Sequence, residues 1–574
     1  MKKMKTKRLL AVLLTLVMVL GMTVMAFATV VESPAEKQPN TDEVLTQKVE
    51  GVPTAANKAP VEVKNVEAGE TVTAYRIVEA AYGANGEGFT GYKAASGVAI
   101  ANVLEPTSSE VTSLAALIAN GSLVLEQVTL EASEADPTTY TGWLGAGYWL
   151  VLVTNDENED VTKIYNPMLL GVYYTADDNG KIDTVTGGAV DANSDWSLNS
   201  TPAYAKSQKP AFDKKITGST VTDNPLNPSG HDVAIGDTVN FEITAQIPSY
   251  SEAYKNVMVK ISDTVSGSGL EISPSSIKVK VGTASGTAVE VSGAAVYALD
   301  PVDQNGFTIT FTSEYALAHA GEYVYVTYDA VLGENANLNF DPNTNKATFE
   351  YTNDPSGDTT KEEDETRTYT FAIDSNLYGK EESEWNEVTE ELLKTGEVHT
   401  ETVSGTAVTT TALSGAVFEL KSVDRTPEIV RTATSDALGH LSFTGLDAGK
   451  YELREVKAPE GYSLNEAVIP VEITATYNED GTLNQYVIKV NNQNTSTYTA
   501  TYEKDKTISN ITTTPGHNND FSDVSDTHEI KNTKLTGLPS TGGIGTTIFT
   551  IAGCLIMILA AALFFASRRK TSKK

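Results

Sequence analysis

Thr238-Val239-Asn240-Phe241-Glu242-Ile243-Thr244 alternates branched or aromatic residues with polar ones along its length. Successive side chains on a strand point to opposite faces, so Val239, Phe241 and Ile243 share one face while Glu242 faces solvent. Gly306–Thr312 (GFTITFT) and Tyr323–Ala330 (YVYVTYDA) repeat the pattern, and clusters of Gly, Pro, Asn and Asp separate such runs. Thr, Val and Tyr suit a pleated, half-buried surface. Short strands at turn-bounded spacing favour antiparallel sandwiches, so the expected fold class is all-β. One short helix is expected near Ser109–Ala119, where Val111, Leu114 and Ile118 share a face.

The chain has 574 residues, 40% of them hydrophobic, which suits several packed domains. Its 75 acidic residues outweigh 42 basic ones, for a net charge of −33. Residues 1–28 and 542–574 each carry five basic residues and no acid, so the intervening chain is near −43. With no basic face to neutralise phosphates, nucleic acid is excluded as a partner. A single Cys rules out internal disulfides and CxxC metal sites.

Two polar stretches read as boundaries: Lys206–Pro210 (KSQKP) and Asp354–Arg367 (DPSGDTTKEEDETR). They divide the middle of the chain into domains at 57–205, 207–358 and 366–535, with 29–56 as a flexible leader. At the start, MKKMKTKR, an apolar run and Ala26-Phe27-Ala28 form a secretory signal peptide over residues 1–28, cut after Ala28. At the other end, Ile544–Ala566 is apolar and long enough to span a bilayer as a transmembrane helix. The basic tail 567–574 stays cytoplasmic. The one Cys, Cys554, lies in this apolar segment, so the exported part has none despite an oxidising exterior.

Leu538-Pro539-Ser540-Thr541-Gly542 stands just before the apolar span. LPxTG, an apolar span and a basic tail, in that order, resemble the cell-wall sorting signal of Gram-positive surface proteins. The resemblance implies that a sortase cuts between Thr541 and Gly542 and passes the threonyl carbonyl to an amine. Tyr451-Glu452-Leu453-Arg454-Glu455-Val456-Lys457-Ala458-Pro459-Glu460-Gly461-Tyr462 and Gly415–Leu420 (GAVFEL) resemble the E-box and an early strand of Cna-B-type pilin domains. Together these parts resemble a sortase-assembled backbone pilin built from tandem immunoglobulin-like (Cna-type) sandwiches.

In such domains an acid promotes attack of a buried Lys amine on an Asn amide, forming an isopeptide bond and releasing ammonia. Alternation puts Tyr451, Leu453 and Glu455 on one face, and a carboxyl on an apolar face is costly unless protonated or paired. Burial raises an acid's pKa and lowers that of Lys, which suits the reaction. In the third domain the resemblance makes Glu455 the acid and Asn532 the acceptor. The donor Lys is expected in the first strand, Thr370–Leu377, but Leu377 occupies its place; Lys380 and Lys421 have the wrong parity.

The second domain is better supplied. Phe212, Lys214 and Ile216 share a face, as do Val257, Val259, Ile261 and Asp263, and as do Asn345, Ala347, Phe349, Tyr351 and Asn353. The order Lys, Asp, Asn resembles the isopeptide-forming domain of backbone pilins, with Lys214 as amine, Asp263 as acid and Asn345 as acceptor. Parallel first and last strands would favour Asn345; Asn353 is the alternative. A strand-edge Lys with two turn asparagines is the plainer structural reading.

Tyr204-Ala205-Lys206-Ser207, at the junction of the first two domains, resembles the pilin motif with core YPKN, Ala and Ser replacing Pro and Asn. It implies that Lys206 accepts Thr541 of the next subunit. Val61–Tyr75, Leu144–Val151 and Tyr165–Leu169 look like a pilin N-terminal domain, without chemistry. The His residues are scattered, and no GxSxG or P-loop occurs, so no enzyme, metal site or cofactor is expected. The implied function is structural and adhesive: a fimbrial subunit processed by pilus-assembly and housekeeping sortases. Its implied partners are copies of itself, peptidoglycan, minor pilins and a host or microbial receptor. A monomeric wall-anchored adhesin is the alternative, and a wall-bound glycosidase finds little chain to occupy.

Overall fold

The computed structural model describes residues 44–535 and 544–571, apart from internal segments of which the longest are 155–162, 182–195, 378–388, 397–410 and 516–528. The signal peptide and the Leu538–Gly542 motif lie outside the described residues.

The fold is all-β, in three successive β regions. In the first, one sheet runs from Leu45–Val49 through Trp196–Ser200, Met168–Ala176, Gly147–Thr154 and Thr71–Tyr82. It continues through Gln127–Ala132, Tyr140–Gly145 and Lys58–Lys64 to Ala203–Tyr204. The strand Leu45–Val49 corrects the C-terminal part of the flexible leader expected over 29–56; residues 29–43 lie outside the described residues. The strand pairs antiparallel with Trp196–Ser200 and buries Val49, because a β-edge offers unpaired backbone groups to any extended neighbour. The expected helix forms at Ser108–Ala119, closed by a Thr107/Glu110 capping box, with Val111, Leu114 and Ile118 buried.

The second region is a two-sheet sandwich. One sheet orders Phe212–Ser219, Thr238–Gln246, Tyr323–Leu332, Lys278–Gly282 and Val289–Glu290. The other orders Tyr297–Val302, Gly306–Phe311, Val259–Thr264, Asn343–Thr352 and Thr359–Thr368. Phe241, Ile243 and Val326 from the first sheet meet Ile261, Ile309 and Phe349 from the second in one core. The first strand therefore does not run beside the Asn345 strand; the two lie in different sheets.

The linker expected over Asp354–Arg367 holds a strand instead. Thr359–Thr368 pairs antiparallel with Asn343–Thr352 along its whole length. Its charges hid it from the alternation pattern, yet they suit an edge strand. Glu362 accepts from the Tyr351 hydroxyl at 3.0 Å and pairs with Lys209 at 3.1 Å.

The third region has a seven-stranded sheet that includes Val417–Ser422, Gly449–Lys457 and Val468–Tyr477. Two smaller sheets face it. One pairs Phe371–Ile373 with Phe443–Leu446, and the other orders Thr411–Ala412, Leu393–Gly396 and Glu529–Asn532. The second and third regions meet through buried polar contacts. The Arg425 side chain, 1% exposed, lies 2.6 Å from Asp237 and 3.1 Å from Asp447. Gly445 is required there: its φ is +72°, and a Cβ would meet Ile235 at 2.5 Å.

The apolar C-terminal segment is helical over Ile544–Thr571. Among the described residues no helix is long and apolar enough to cross a membrane. The side chains described in this helix run only from Phe549 to Phe565.

Candidate functional site

Strand alternation turns Lys214 into the second sandwich and Lys215 out of it. Lys214 pairs across the strand with Ile243 and is buried, while Lys215 is exposed and bonds Glu242 at 2.7 Å. Asp263, on Val259–Thr264 in the opposite sheet, lies between Phe307 and Ala347 in register. Asn345 is fully buried two residues before Ala347. Lys214 and Asp263 both have side chains with 0% exposure, and Lys214 Nζ donates to Asp263 Oδ2. The same nitrogen donates to Asn345 Oδ1 at 3.0 Å. The three expected residues are thus in mutual contact, reached across the two sheets.

Burial disfavours both charges. Desolvation lowers the Lys214 pKa, against the pull of Asp263, and raises that of Asp263, against the pull of Lys214. Both directions favour the neutral amine and the neutral acid. Asn353 lies elsewhere. It is buried near the far end of the same strand, where its carbonyl accepts from Tyr254.

A fourth group, Tyr328, was not read from the sequence. Its ring stacks on Phe241 with centroids 5.4 Å apart and meets the edge of Phe307 at 4.9 Å. Its hydroxyl donates to Asp263 Oδ2 at 2.7 Å and accepts from Asn345 Nδ2 at 3.1 Å. It also accepts from Lys214 Nζ. The signal was present in YVYVTYDA, where Tyr328 falls on the buried face. Tyr323 and Tyr325, in the same run, fall on the other.

The third region buries a lysine outside the first strand, where the sequence found no inward-facing one. Leu377 is a buried core residue, and the buried lysine is Lys394. The first strand stops at Ile373 because Asp374 turns the chain at φ +50°. The chain resumes at Leu393–Gly396, parallel to Glu529–Asn532, with Lys394 opposite Ile530. The insertion between is closed by carboxylates. Asp374 Oδ1 accepts from the Glu391 and Leu392 amides at 2.6 and 3.0 Å, and Glu391 Oε2 accepts from the Asp374 amide at 2.9 Å.

Lys394 Nζ donates to the Ile530 and Thr395 carbonyls at 2.7 and 3.1 Å. Desolvation lowers its pKa to about 8, against the opposing charge of Glu455. Asn532 is buried and its Nδ2 donates to Glu455 Oε1 at 2.8 Å. Glu455 sits on the buried face with Tyr451 and Leu453 as alternation required, and its other oxygen accepts from the Asn465 amide at 2.6 Å.

Lys206 is exposed at the joint between the first and second regions. Its backbone is held on both sides. The Ala205 amide donates to the Lys64 carbonyl at 2.8 Å, and the Lys206 carbonyl accepts from the Asn166 amide at 3.1 Å. Among the described residues no cluster of His, Cys, Asp and Glu is arranged to hold a metal.

Tandem β-sandwiches, two of them burying a lysine, an acid and an asparagine, precede a C-terminal helix with basic residues near its end. Three family profiles match in chain order: "T6 antigen Ig like domain" over residues 56–197, "Prealbumin-like fold domain" over 401–488, and "LPXTG cell wall anchor motif" over 530–573. The chain is 29% identical to the trypsin-resistant surface T6 protein of Streptococcus pyogenes serotype M6, covering 89% of this chain and 95% of that one. It shares the fold of the T6 backbone pilin of serotype M6 Streptococcus pyogenes, described as a modular three-domain structure. That match has 24% identity and a TM-score of 0.54, covering 83% of this chain and 98% of that one. The full-length major pilin SpaD of Corynebacterium diphtheriae is also similar, at 18% identity and TM-score 0.40, covering 72% and 90% of the two chains.

Proposed function

We propose that the chain is the structural subunit of a covalently polymerised pilus and that two internal amide bonds staple its sandwiches. Lys214 would join Asn345 with Asp263 as the promoting acid, and Lys394 would join Asn532 with Glu455. The observation that carries this reading is the burial of a lysine, an acid and an asparagine together in each of two successive regions. An unreacted buried ion pair is a weak source of stability, whereas in the second region burial disfavours charge on both Lys214 and Asp263, leaving a neutral amine beside a neutral acid and an amide, poised for condensation. The exported chain has no Cys, so amide bonds take the place of disulfides. Like a disulfide, each bond would restrict the unfolded chain.

Between subunits, a pilus-assembly sortase would cut after Thr541 and transfer the threonyl acyl group to Lys206 of another copy. A housekeeping sortase would pass the last subunit to peptidoglycan. The held backbone and exposed side chain of Lys206 support its role as acceptor. The limits 57–205, 207–358 and 366–535 would then be read with the second domain extended through the Thr359–Thr368 strand. Minor pilins and a receptor complete the proposed set of partners.

The test is a sortase-dependent ladder of high-mass species that survives boiling in detergent. Lys206→Ala is expected to abolish the ladder and leave wall-linked monomer. An unchanged ladder removes Lys206 from the account, and no ladder from the native chain favours a monomeric adhesin.

A further inference from the structure

Among the described residues no hydrogen bond joins Asp263 to Asn345 directly; Tyr328 stands between them. Its hydroxyl meets all three members of the cluster: Lys214 Nζ, Asp263 Oδ2 at 2.7 Å and Asn345 Nδ2 at 3.1 Å. Asn345 Nδ2 is the nitrogen that must leave as ammonia, and it needs a proton to do so. Asp263 Oδ1 is buried with no hydrogen-bond partner, so the acid's contact with the amide runs through Oδ2 and the tyrosine.

We infer that Tyr328 is a catalytic proton relay for the second-domain amide bond, carrying a proton from Asp263 to the departing nitrogen of Asn345. This rests on the reading that Lys214 and Asn345 condense. The Nζ–Cγ bond forms and the Cγ–Nδ2 bond breaks. One proton leaves Nζ for Asp263, the acid's own proton passes to the Tyr328 oxygen, and the Tyr328 proton goes to Nδ2. Ammonia departs, and Asp263 and Tyr328 return to their starting forms.

The fold holds the hydroxyl in place for this task. Phe241 is the cross-strand partner of Tyr328 and stacks on it, and Phe307 closes its other side. Burial and the neighbouring Asp263 keep the phenol far above its ordinary pKa, so it remains protonated and serves as donor and acceptor together. Lys214 Nζ lies 5.2 Å from the ring centroid of Tyr328 and 5.4 Å from that of Phe241, so the amine is held beside the same surface. The third region dispenses with a relay, since Glu455 accepts directly from Asn532 Nδ2 at 2.8 Å.

The test uses full-length chain that has never folded, recovered in denaturant and diluted into detergent-containing buffer. Samples are digested over time, and the peptide joining Lys214 to Asn345 is followed by mass spectrometry. Tyr328→Phe keeps the ring and its stacking but removes the hydroxyl. It is expected to slow this bond by about a hundredfold or more, the range for loss of a positioned acid–base group. The Lys394–Asn532 bond in the same molecules should form at its native rate. Native chain that never forms the Lys214–Asn345 peptide would sink the amide bond itself. Native chain that forms it while Tyr328→Phe keeps pace would sink only the relay. If Tyr328→Phe does not fold, the native chain in heavy water decides. A larger solvent isotope effect on the second-domain bond than on the third-domain bond supports the relay, and equal effects overturn it.

Discussion

In the second region Asp263 reaches Asn345 through Tyr328, whereas in the third Glu455 accepts directly from Asn532 at 2.8 Å. The geometry of the strands accounts for the difference. Asp263 and Asn345 lie on neighbouring strands of one sheet, but Asp263 is in register with Ala347 rather than Asn345; Lys214 and Tyr328 reach across from the other sheet, and the Tyr328 hydroxyl bridges the two. Lys394 and Asn532 come from one parallel strand pair, and the acid comes from the facing sheet. The same three residue types are thus brought together in two ways. What the two sites share is burial, which suppresses charge on the amines of both and on Asp263.

The largest effect is expected from Lys214→Ala. Lys214 and Asn345 are 131 residues apart, and chain entropy for a closed loop of that size is worth about 5 kcal/mol. The variant also removes one of the two side-chain partners of Asp263 Oδ2, leaving the buried acid held by Tyr328 alone, which adds about 1 kcal/mol. Calorimetry should show the second-region transition falling well below that of the native chain, with the third-region transition little changed.

Lys394→Ala should cost less. The lost loop closure is of similar size, about 5 kcal/mol by the same chain-entropy relation. Here, however, Glu455 keeps the Asn465 amide and Asn532 as partners. If the two variants lower their transitions equally, the partner lost by Asp263 contributes nothing and the contrast between the sites is weaker than described.

The smallest effect is kinetic and concerns pH. Lys394 has its pKa lowered to about 8. Below that pH its nitrogen is protonated and has no lone pair to attack with. The rate of Lys394–Asn532 bond formation should therefore rise roughly tenfold per pH unit below 8 and level off above it. Rates measured at pH 6, 7, 8 and 9 on freshly refolded chain check this. A rate that is flat from pH 6 to 8 would mean that the amine is neutral throughout.

Much of this was legible in the sequence. Alternation in TVNFEIT and YVYVTYDA identified the strands, and the same period-2 reading turned Lys214, Asp263, Asn345 and Glu455 inward, where burial places them. Pattern failed where strands are not half-buried. Leu393–Gly396 is buried at every position, so parity says nothing about Lys394; only its neighbours Leu392 and Leu393 hinted that a lysine there was unusual. Thr359–Thr368 is an edge strand whose charges resemble a linker. Tyr328 was missed because a tyrosine on a buried face reads as core, and only distances reveal its hydroxyl among three polar atoms. The turn at Asp374 split a strand that local pattern reads as continuous.

The central claim is that this chain closes two amide bonds by itself. Intact mass of the full-length folded protein, purified without sortase and compared with the mass of the same polypeptide calculated from its sequence, tests it most directly. Two closed bonds leave a deficit of two ammonia molecules, with cross-linked peptides joining Lys214 to Asn345 and Lys394 to Asn532. A mass equal to the sequence value would contradict it at both sites.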